Sequence, residues 1–425
     1  MRSRLLMALA LALLLASAGS ASAQLPVASA ATLDRGFDPT AFGGGFAAIA
    51  SNPAGLARAD APGFSLALPG ISGVAGVGPV TLQDFADWEG QLLPAAVKDD
   101  WMARVRSSGG QSVRVGAGAT PLALSIGPVG FQVSSRVGSR GQLSADAVEL
   151  LLYGNAGRTG QPGDFDLTDS FLEGFAVSTA ALSLGVRATE RVLVGVTAKY
   201  SIGNGLGIAR DGGSFVNGTP VSIDLDFPVL LPYPDGFEFD HGGGIGMDLG
   251  VIWDAGPLTA GATLENVFNT FEWDLTGYSY VPGQAVFSQD VRESDFDEVP
   301  LESAPQDLRD DFQALADELL PERRLAVGVH LEAYPTLDLF GNVQKSLTDG
   351  MSFEPDFYMG VGMEWSLLSF LPLRAHGAVI TDGFQLGGGL SLVLGPVHLS
   401  GGAAMRSDST QDSVLGTFTL SFGSH

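Results

Sequence analysis

The feature that most restricts the fold of this 425-residue chain is a repeated alternation of apolar residues with small or polar ones. In residues 180–188, for example, Leu182 and Leu184 fall on one side of an extended chain and Ser183 and Gly185 on the other. Because successive side chains of a strand point to opposite faces, such a segment predicts a strand with one apolar face. The segments are about ten residues long and short turns separate them, as in antiparallel hairpins.

The character of the two faces separates a membrane barrel from a soluble β-sandwich or solenoid, which also alternates. Here the second face carries mainly Gly, Ser and Thr with isolated charges, which fits a barrel lumen better than a surface in bulk water. Aromatic residues end several apolar faces, at Tyr200, Trp253 and Trp365, where interfacial girdles are expected. The alternation therefore predicts an all-β, transmembrane antiparallel β-barrel of about fourteen strands in residues 61–425.

The N-terminus has the layout of a secretory signal peptide. Basic residues precede an apolar run over residues 5–16, and small residues follow as far as Ala23. We expect residues 1–23 to be removed and the mature chain to begin near Gln24. The last alternating segment, which ends on the aromatic Phe422, is typical of the closing strand of outer-membrane barrels. The predicted location is the cell outer membrane, and the expected partners are membrane lipid and the barrel assembly machinery.

Composition and motifs argue against several classes of function. The formal charge of −25 argues against nucleic acid as a partner, and the absence of cysteine excludes disulfides and thiolate metal sites. The sequence contains no G-x-S-x-G, no H-E-x-x-H and no Walker phosphate loop. The acid-rich segment 290–322 lacks the spacing of a calcium loop, so a solvated loop is favoured over a cation site. We expect no enzymatic activity, no cofactor and no metal site.

Three stretches interrupt the alternation, at residues 82–108, 143–174 and 281–323. Within the first and the third, residues 86–105 and 308–320 have apolar residues at helical spacing. We expect these two segments to form short helices in long loops or in the lumen.

Charged residues and histidines recur on the face that the alternation assigns to the lumen. We interpret them as an ionic network, because opposite charges on facing walls can pair and so reduce the cost of holding charge inside. A permeation path lined by the same side chains is the alternative. The residues are Arg187, Lys199, Asp248, Glu265, His330, Glu332, Glu364, Arg374 and His376.

The segment before the first strand, residues 41–57, reads A-F-G-G-G-F-A-A-I-A-S-N-P-A-G-L-A. It resembles the N-terminal signature of the FadL/PorV superfamily of outer-membrane proteins, in which a glycine- and phenylalanine-containing stretch leads into Asn-Pro-Ala-Gly-Leu. The resemblance implies a fourteen-stranded barrel whose N-terminal segment, here residues 24–60, folds inward as a hatch; an ordinary turn before a strand is the alternative. The implied hatch residues are Gly43, Gly44, Gly45, Asn52, Pro53, Ala54 and Gly55.

The resemblance implies two functions. Its FadL side implies a channel or transporter for hydrophobic or amphipathic small molecules, and its PorV side implies a non-transport scaffold or secretion-associated barrel that binds protein partners. We expect transport of a hydrophobic ligand. A transporter should have an apolar lumenal pocket beneath its loops, whereas a scaffold should have a filled lumen and a conspicuous partner surface.

Overall fold

A computed structural model describes residues 40–41, 43–232, 241–351 and 354–423. The predicted signal peptide, residues 1–23, and residues 24–39 and 42 of the predicted hatch lie outside the described residues. Fourteen strands form a closed antiparallel barrel, which confirms the predicted fold class. They are β1 Phe64–Gly78, β2 Gly110–Ile126, β3 Val129–Ser144, β4 Phe171–Arg187, β5 Val192–Arg210, β6 Gly242–Asp254, β7 Leu258–Asn269, β8 Arg324–Tyr334, β9 Leu337–Ser346, β10 Phe357–Trp365, β11 Leu373–Ile380, β12 Gly383–Leu394, β13 Val397–Ser407 and β14 Asp412–Gly423.

The barrel closes through β1, which pairs with both β2 and β14. Leu66 lies opposite Leu124 on one side and opposite Phe422 on the other. The start of β1 and the end of β14 therefore lie at the same end of the barrel, which we call the short-turn end. The opposite end is the long-loop end, and its four longest connections are residues 79–109, 145–170, 211–241 and 270–323.

The outer face of the barrel is apolar, as the alternation predicts. On β4, Leu182 is 57% exposed and Leu184 is 44% exposed, whereas Ser183 between them is 1% exposed. Trp253 and Trp365 are exposed at the ends of β6 and β10, where aromatic girdles are found. A closed barrel with an apolar outer band and a polar inner face belongs in the outer membrane, and the predicted location is confirmed.

The helices of the long loops depart from the prediction in three respects. The helix predicted over residues 86–105 is two helices, because Gly90 adopts a φ of +71° between them and Pro94 caps the second. The helix predicted over residues 308–320 is present, but it begins and ends two residues earlier, at Gln306 and Glu318. A further helix occupies residues 145–153, where none was predicted. The α-helices are α1 Ala48–Ser51, α2 Leu82–Asp87, α3 Ala95–Ser107, α4 Ala145–Tyr153 and α5 Gln306–Glu318, and short 3₁₀ helices lie at Gly45–Ala47, Pro53–Ala57, Gly154–Ala156 and Leu301–Ser303.

Helices α2, α3 and α4 pack together at the long-loop end. Trp101 and Met102 of α3 are buried against Val148 of α4. Arg104 binds Asp84 through two hydrogen bonds of 2.9 and 3.0 Å, and its guanidinium lowers the pKa of the Asp84 carboxyl to about 2. None of the helices among the described residues has both the length and the apolar character needed to cross a lipid bilayer.

Short strands from the long loops complete the long-loop end. One group extends the barrel sheet and another forms a separate five-stranded antiparallel sheet, which we call the loop sheet. The connection over residues 211–241, which was not predicted as an interruption of the alternation, contributes to both. The extending strands are Val229–Pro232, Glu272–Trp273, Tyr278–Val281 and Val299–Pro300; the loop sheet contains Phe165–Asp166, Phe215–Gly218, Val221–Asp226, Gln284–Phe287 and Arg292–Asp295.

Candidate functional site

The segment that precedes β1 lies inside the barrel, towards the short-turn end. Its described part, residues 40–41 and 43–57, is named the hatch here. The hatch contains two short 3₁₀ helices and α1, and it packs against the inner faces of β1–β6. Pro53 begins the second 3₁₀ helix, where its missing N–H removes no hydrogen bond.

Asn52 joins the hatch to the wall. This residue is fully buried, and its side-chain Oδ1 accepts a hydrogen bond of 3.1 Å from the N–H of Ala54. The two N–H groups of its Nδ2 are shared among three carbonyl oxygens: Thr40 of the hatch at 2.7 Å, Val251 of β6 at 3.1 Å and Ala262 of β7 at 3.3 Å. An amide has both an acceptor and two donors, so one side chain closes a turn and holds the hatch on two strands.

Hydroxyl groups of the wall also satisfy the irregular backbone of the hatch. The Thr263 hydroxyl donates to the Ser51 carbonyl at 2.8 Å, and the Ser65 hydroxyl accepts from the Phe46 N–H at 2.7 Å. The Thr197 hydroxyl reaches the carbonyl of Ile49 at 3.4 Å. Buried backbone groups must be paired, so this row of small hydroxyl residues gives the hatch its binding surface.

Glycines of the wall give the hatch room to approach. A Cβ on Gly195 would lie 2.3 Å from the Ala54 nitrogen, and one on Gly250 would lie 2.0 Å from the Asn52 Oδ1. A Cβ on Gly261 would likewise lie 2.3 Å from the Thr40 carbonyl oxygen. Much of the glycine on the small-residue face therefore marks the surface on which the hatch rests.

Glycines within the hatch serve its own packing. Gly45 has a φ of +59°, a conformation that side chains rarely adopt. A Cβ on Gly55 would lie 1.9 Å from the Gly43 carbonyl oxygen, so the two ends of the hatch touch there. Gly44 is less restricted, because the nearest atom to its Cβ would be 3.6 Å away. Ala54 is fully buried between hatch and wall.

Solved structures of known proteins share the overall fold of this barrel. The toluene transporter TbuX of Ralstonia pickettii aligns with 96% of this chain and 100% of its own, at a TM-score of 0.51 and 14% sequence identity. The P. putida toluene transporter TodX aligns with 92% of this chain and 97% of its own, at a TM-score of 0.51 and 13% sequence identity. A Pseudomonas aeruginosa FadL homologue aligns with 95% of this chain and 100% of its own, at a TM-score of 0.50 and 12% sequence identity. The chain has the fold of the FadL-type outer-membrane transporters. No family model and no curated protein matches the sequence, so the predicted resemblance is confirmed at the level of the fold.

Within the barrel, two pairs of the lumen-facing charges expected from the sequence meet. Lys199 on β5 binds Asp248 on β6 at 2.6 Å. Glu364 on β10 lies directly opposite Arg374 on β11, and the two side chains bind at 2.7 Å. These four residues form two ion pairs of the predicted network.

The remaining predicted residues are dispersed. His330 stacks on Phe340 and binds Asp338 at 3.1 Å, and the buried His376 lies 3.4 Å from the side chain of Gln385. Arg187 and Glu332 are exposed at the short-turn end, where Arg187 donates to the Ala57 carbonyl of the hatch at 3.3 Å. Glu265 is half-buried on β7, opposite Arg324 of β8. The lumen-facing residues predicted from the sequence therefore form several separate local groups.

Two charged clusters of the lumen were not predicted from the sequence. Arg324 at the start of β8 binds Glu322 at 2.8 Å and also binds Glu354 of the loop between β9 and β10. Glu173 on β4 binds Arg140 on β3 and Arg210 on β5, each at 2.8 Å. Counting in steps of two from the outward-facing Leu325 and Leu182 assigns Arg324 and Glu173 to the lumen. The same count gives no information on the loop residues Glu322 and Glu354.

An apolar cluster fills the long-loop end of the lumen. Inward residues of the wall such as Phe175 and Leu206 pack there against aromatic residues of the connection 270–323. Helix α5 covers the cluster, with Phe312 2% exposed beneath it, and the Trp273 indole N–H donates to the Leu319 carbonyl at 2.6 Å. The aromatic members contributed by that connection are Phe271, Trp273, Tyr278, Tyr280 and Phe312.

Proposed function

We propose that this protein is an outer-membrane channel or transporter for small hydrophobic compounds. The observation that carries the proposal is the aromatic-rich apolar cluster inside the long-loop end of the barrel. A compound that enters from that side meets this surface before it reaches the hatch. Small-molecule sites are concave and mainly apolar, and barrel mouths are a common place for them. The FadL-type neighbours TbuX and TodX are toluene transporters, which supports the same chemical class here.

Helix α5 is the outer gate in this proposal. Its Phe312 side chain and the Trp273–Leu319 hydrogen bond hold it over the apolar cluster. A ligand that binds the cluster must take the place of these side chains, because the cluster is packed by the chain's own residues. Binding and movement of α5 are therefore coupled, and the hatch is the inner closure of the same path.

A scaffold function is the second candidate, because the hatch and α5 occupy the two ends of the lumen. The loop sheet also ends on the strand Arg292–Asp295, whose four residues are all exposed. Such a strand presents backbone donors and acceptors to which another chain could pair. A protein that only binds partners would not bind or move a small apolar compound.

Replacing Phe312 with alanine tests whether the cluster accepts an aromatic compound. Removal of a buried phenylalanine leaves a cavity that costs about 3–5 kcal/mol, and a ligand that refills part of it recovers part of that cost. We expect Phe312→Ala to bind toluene about tenfold more tightly than the wild type, which corresponds to roughly 1.4 kcal/mol. Isothermal titration calorimetry of the protein in detergent, with micelles titrated alone, measures the affinities.

Phe296→Ala is the matched control, because Phe296 lies in the same connection and is 39% exposed. Its affinity for toluene should equal that of the wild type. Heat-modifiable migration in gel electrophoresis establishes that each variant forms the barrel. If folded Phe312→Ala binds toluene with the wild-type affinity, toluene does not bind at this cluster. Absence of toluene binding in both the wild type and Phe312→Ala would favour the scaffold.

A further inference from the structure

The connection between β10 and β11, residues 366–372, differs from the other connections at the short-turn end. Its sequence is S-L-L-S-F-L-P, and Leu367, Leu368 and Phe370 are 64%, 49% and 49% exposed. The other described connections at that end contain no Leu, Ile, Val, Met or aromatic residue, and only one of them contains charged residues; they are residues 127–128, 188–191, 255–257, 335–336 and 395–396. Exposed apolar side chains grouped in this way mark a contact with lipid or with another protein.

The two strands that this connection joins are the shortest of the barrel. β10 has nine residues and β11 has eight. Eight residues extend about 26 Å along a strand and about 19 Å along the membrane normal at a tilt of 45°. The apolar band of an outer-membrane barrel is about 25 Å tall. β11 alone therefore falls short of the apolar thickness, and residues 366–372 are the adjacent apolar part of the chain.

Hydrogen bonds hold the connection in the plane of the barrel wall. The Val393 N–H donates to the Phe370 carbonyl at 2.9 Å, and the Ser391 N–H donates to the Pro372 carbonyl at 3.0 Å. On the other side, the Ser366 N–H donates to the Thr336 carbonyl at 2.9 Å. The exposed apolar side chains therefore continue the wall, where the neighbour of the wall is lipid.

We propose that residues 366–372 are a lipid-anchoring turn, whose leucine and phenylalanine side chains enter the phospholipid leaflet at the short-turn end. The exposed face of β10, with Val361 and Trp365, leads without interruption into Leu367. The turn itself contains no charged residue, and the charges beside it, Glu364 and Arg374, bind each other on the lumenal side. Lipid is thus the partner that fits both the position and the absence of charge. The proposal is independent of the transported compound.

Because the chain has no cysteine, one introduced cysteine can be labelled without background. Leu368→Cys would carry a polarity-sensitive fluorophore, with the full-length protein in phosphatidylethanolamine and phosphatidylglycerol vesicles. We expect blue-shifted emission, quenching by lipids spin-labelled near the headgroup, and little quenching by aqueous iodide. Thr336→Cys, in an exposed polar turn at the same end, should be quenched by iodide. Val361→Cys, in the exposed centre of β10, should be quenched most by spin labels deep in the acyl chains.

Equal iodide quenching at Leu368→Cys and Thr336→Cys would overturn the proposal. The turn would then be exposed to water, and its partner would be a periplasmic protein and not lipid. Shielding that disappears when the protein is diluted to monomers at constant lipid would also overturn it, because a second copy would then cover the turn. Where Leu368→Cys fails to give the heat-modifiable barrel, Leu367→Cys carries the same measurement. The result expected there is the same shielding from iodide.

Discussion

Gly195→Ala displaces the hatch from the lumen and exposes Ser51, which is 2% exposed in the wild type. The added Cβ would lie 2.3 Å from the backbone nitrogen of Ala54 and from the carbonyl carbon of Pro53. Both contacts are with backbone atoms, so no side-chain rotation relieves them. Overpacking of this kind costs about 1–3 kcal/mol, which increases the population with a displaced hatch by about 5- to 150-fold.

The measurement uses Ser51→Cys, a nearly isosteric change, as the single cysteine of the chain. The rate at which a soluble maleimide modifies this thiol reports how often the hatch leaves its place in the folded barrel. We expect the rate in Ser51→Cys/Gly195→Ala to exceed the rate in Ser51→Cys alone by the same 5- to 150-fold. Heat-modifiable migration should be retained, because the contact lies between hatch and wall and not within the strand pairing.

Gly205→Ala on the same strand is the control for the loss of a β5 glycine. Its Cβ would meet only the Pro232 ring, at an ordinary contact distance of 3.8 Å. Its modification rate should match that of Ser51→Cys alone. Equal rates in the Gly195→Ala and Gly205→Ala backgrounds would contradict the close contact between hatch and wall.

Val329→Arg lowers the stability of the barrel by about 2–4 kcal/mol, the cost of an arginine on the lipid face near the bilayer midplane. Val329 lies at the centre of β8 and is 48% exposed on the apolar face. The guanidinium would be placed in hydrocarbon, and the residues opposite it on the neighbouring strands, Ala260 and Gly341, offer no charge to pair with it. Reversible urea unfolding in lipid vesicles, followed by tryptophan fluorescence, measures the free-energy difference.

Tyr334→Arg is the matched control, since Tyr334 ends the same strand and is 69% exposed. An arginine at the interface costs about 0–1 kcal/mol. A lumenal glycine such as Gly328 is a poor control, because its Cβ would lie 3.3 Å from the Ala41 nitrogen of the hatch. Equal losses of stability in Val329→Arg and Tyr334→Arg would show that the outer face of β8 does not meet lipid.

The barrel itself could be predicted from the sequence, because the period of two is a property of each strand taken alone. The exposed Leu182 and Leu184 and the buried Ser183 have the faces that the alternation assigned. The break of the predicted helix at Gly90 and Pro94 was also readable in principle, since both residues interrupt helices.

The contacts inside the lumen could not be predicted in the same way, because they depend on which residues face each other across strands and loops. Parity alone assigns Glu364 and Arg374 to the lumen, and only the strand register places them opposite each other. Glu354 reaches Arg324 from a loop, where side-chain direction has no period. Gly195 and Gly250 looked like ordinary strand glycines, since their role depends on the position of a hatch distant in sequence.

The central claim is that the barrel admits small hydrophobic compounds past α5 and the hatch. Its most direct test is the initial rate of uptake of radiolabelled toluene by Gram-negative cells that lack their own FadL-type transporters and express this chain. We predict a rate well above that of cells with an empty vector, and a changed rate in cells expressing Gly195→Ala, in which the inner closure is displaced. Equal rates in all three strains, with the protein folded in the outer membrane, would contradict transport of this class of compound and favour the scaffold.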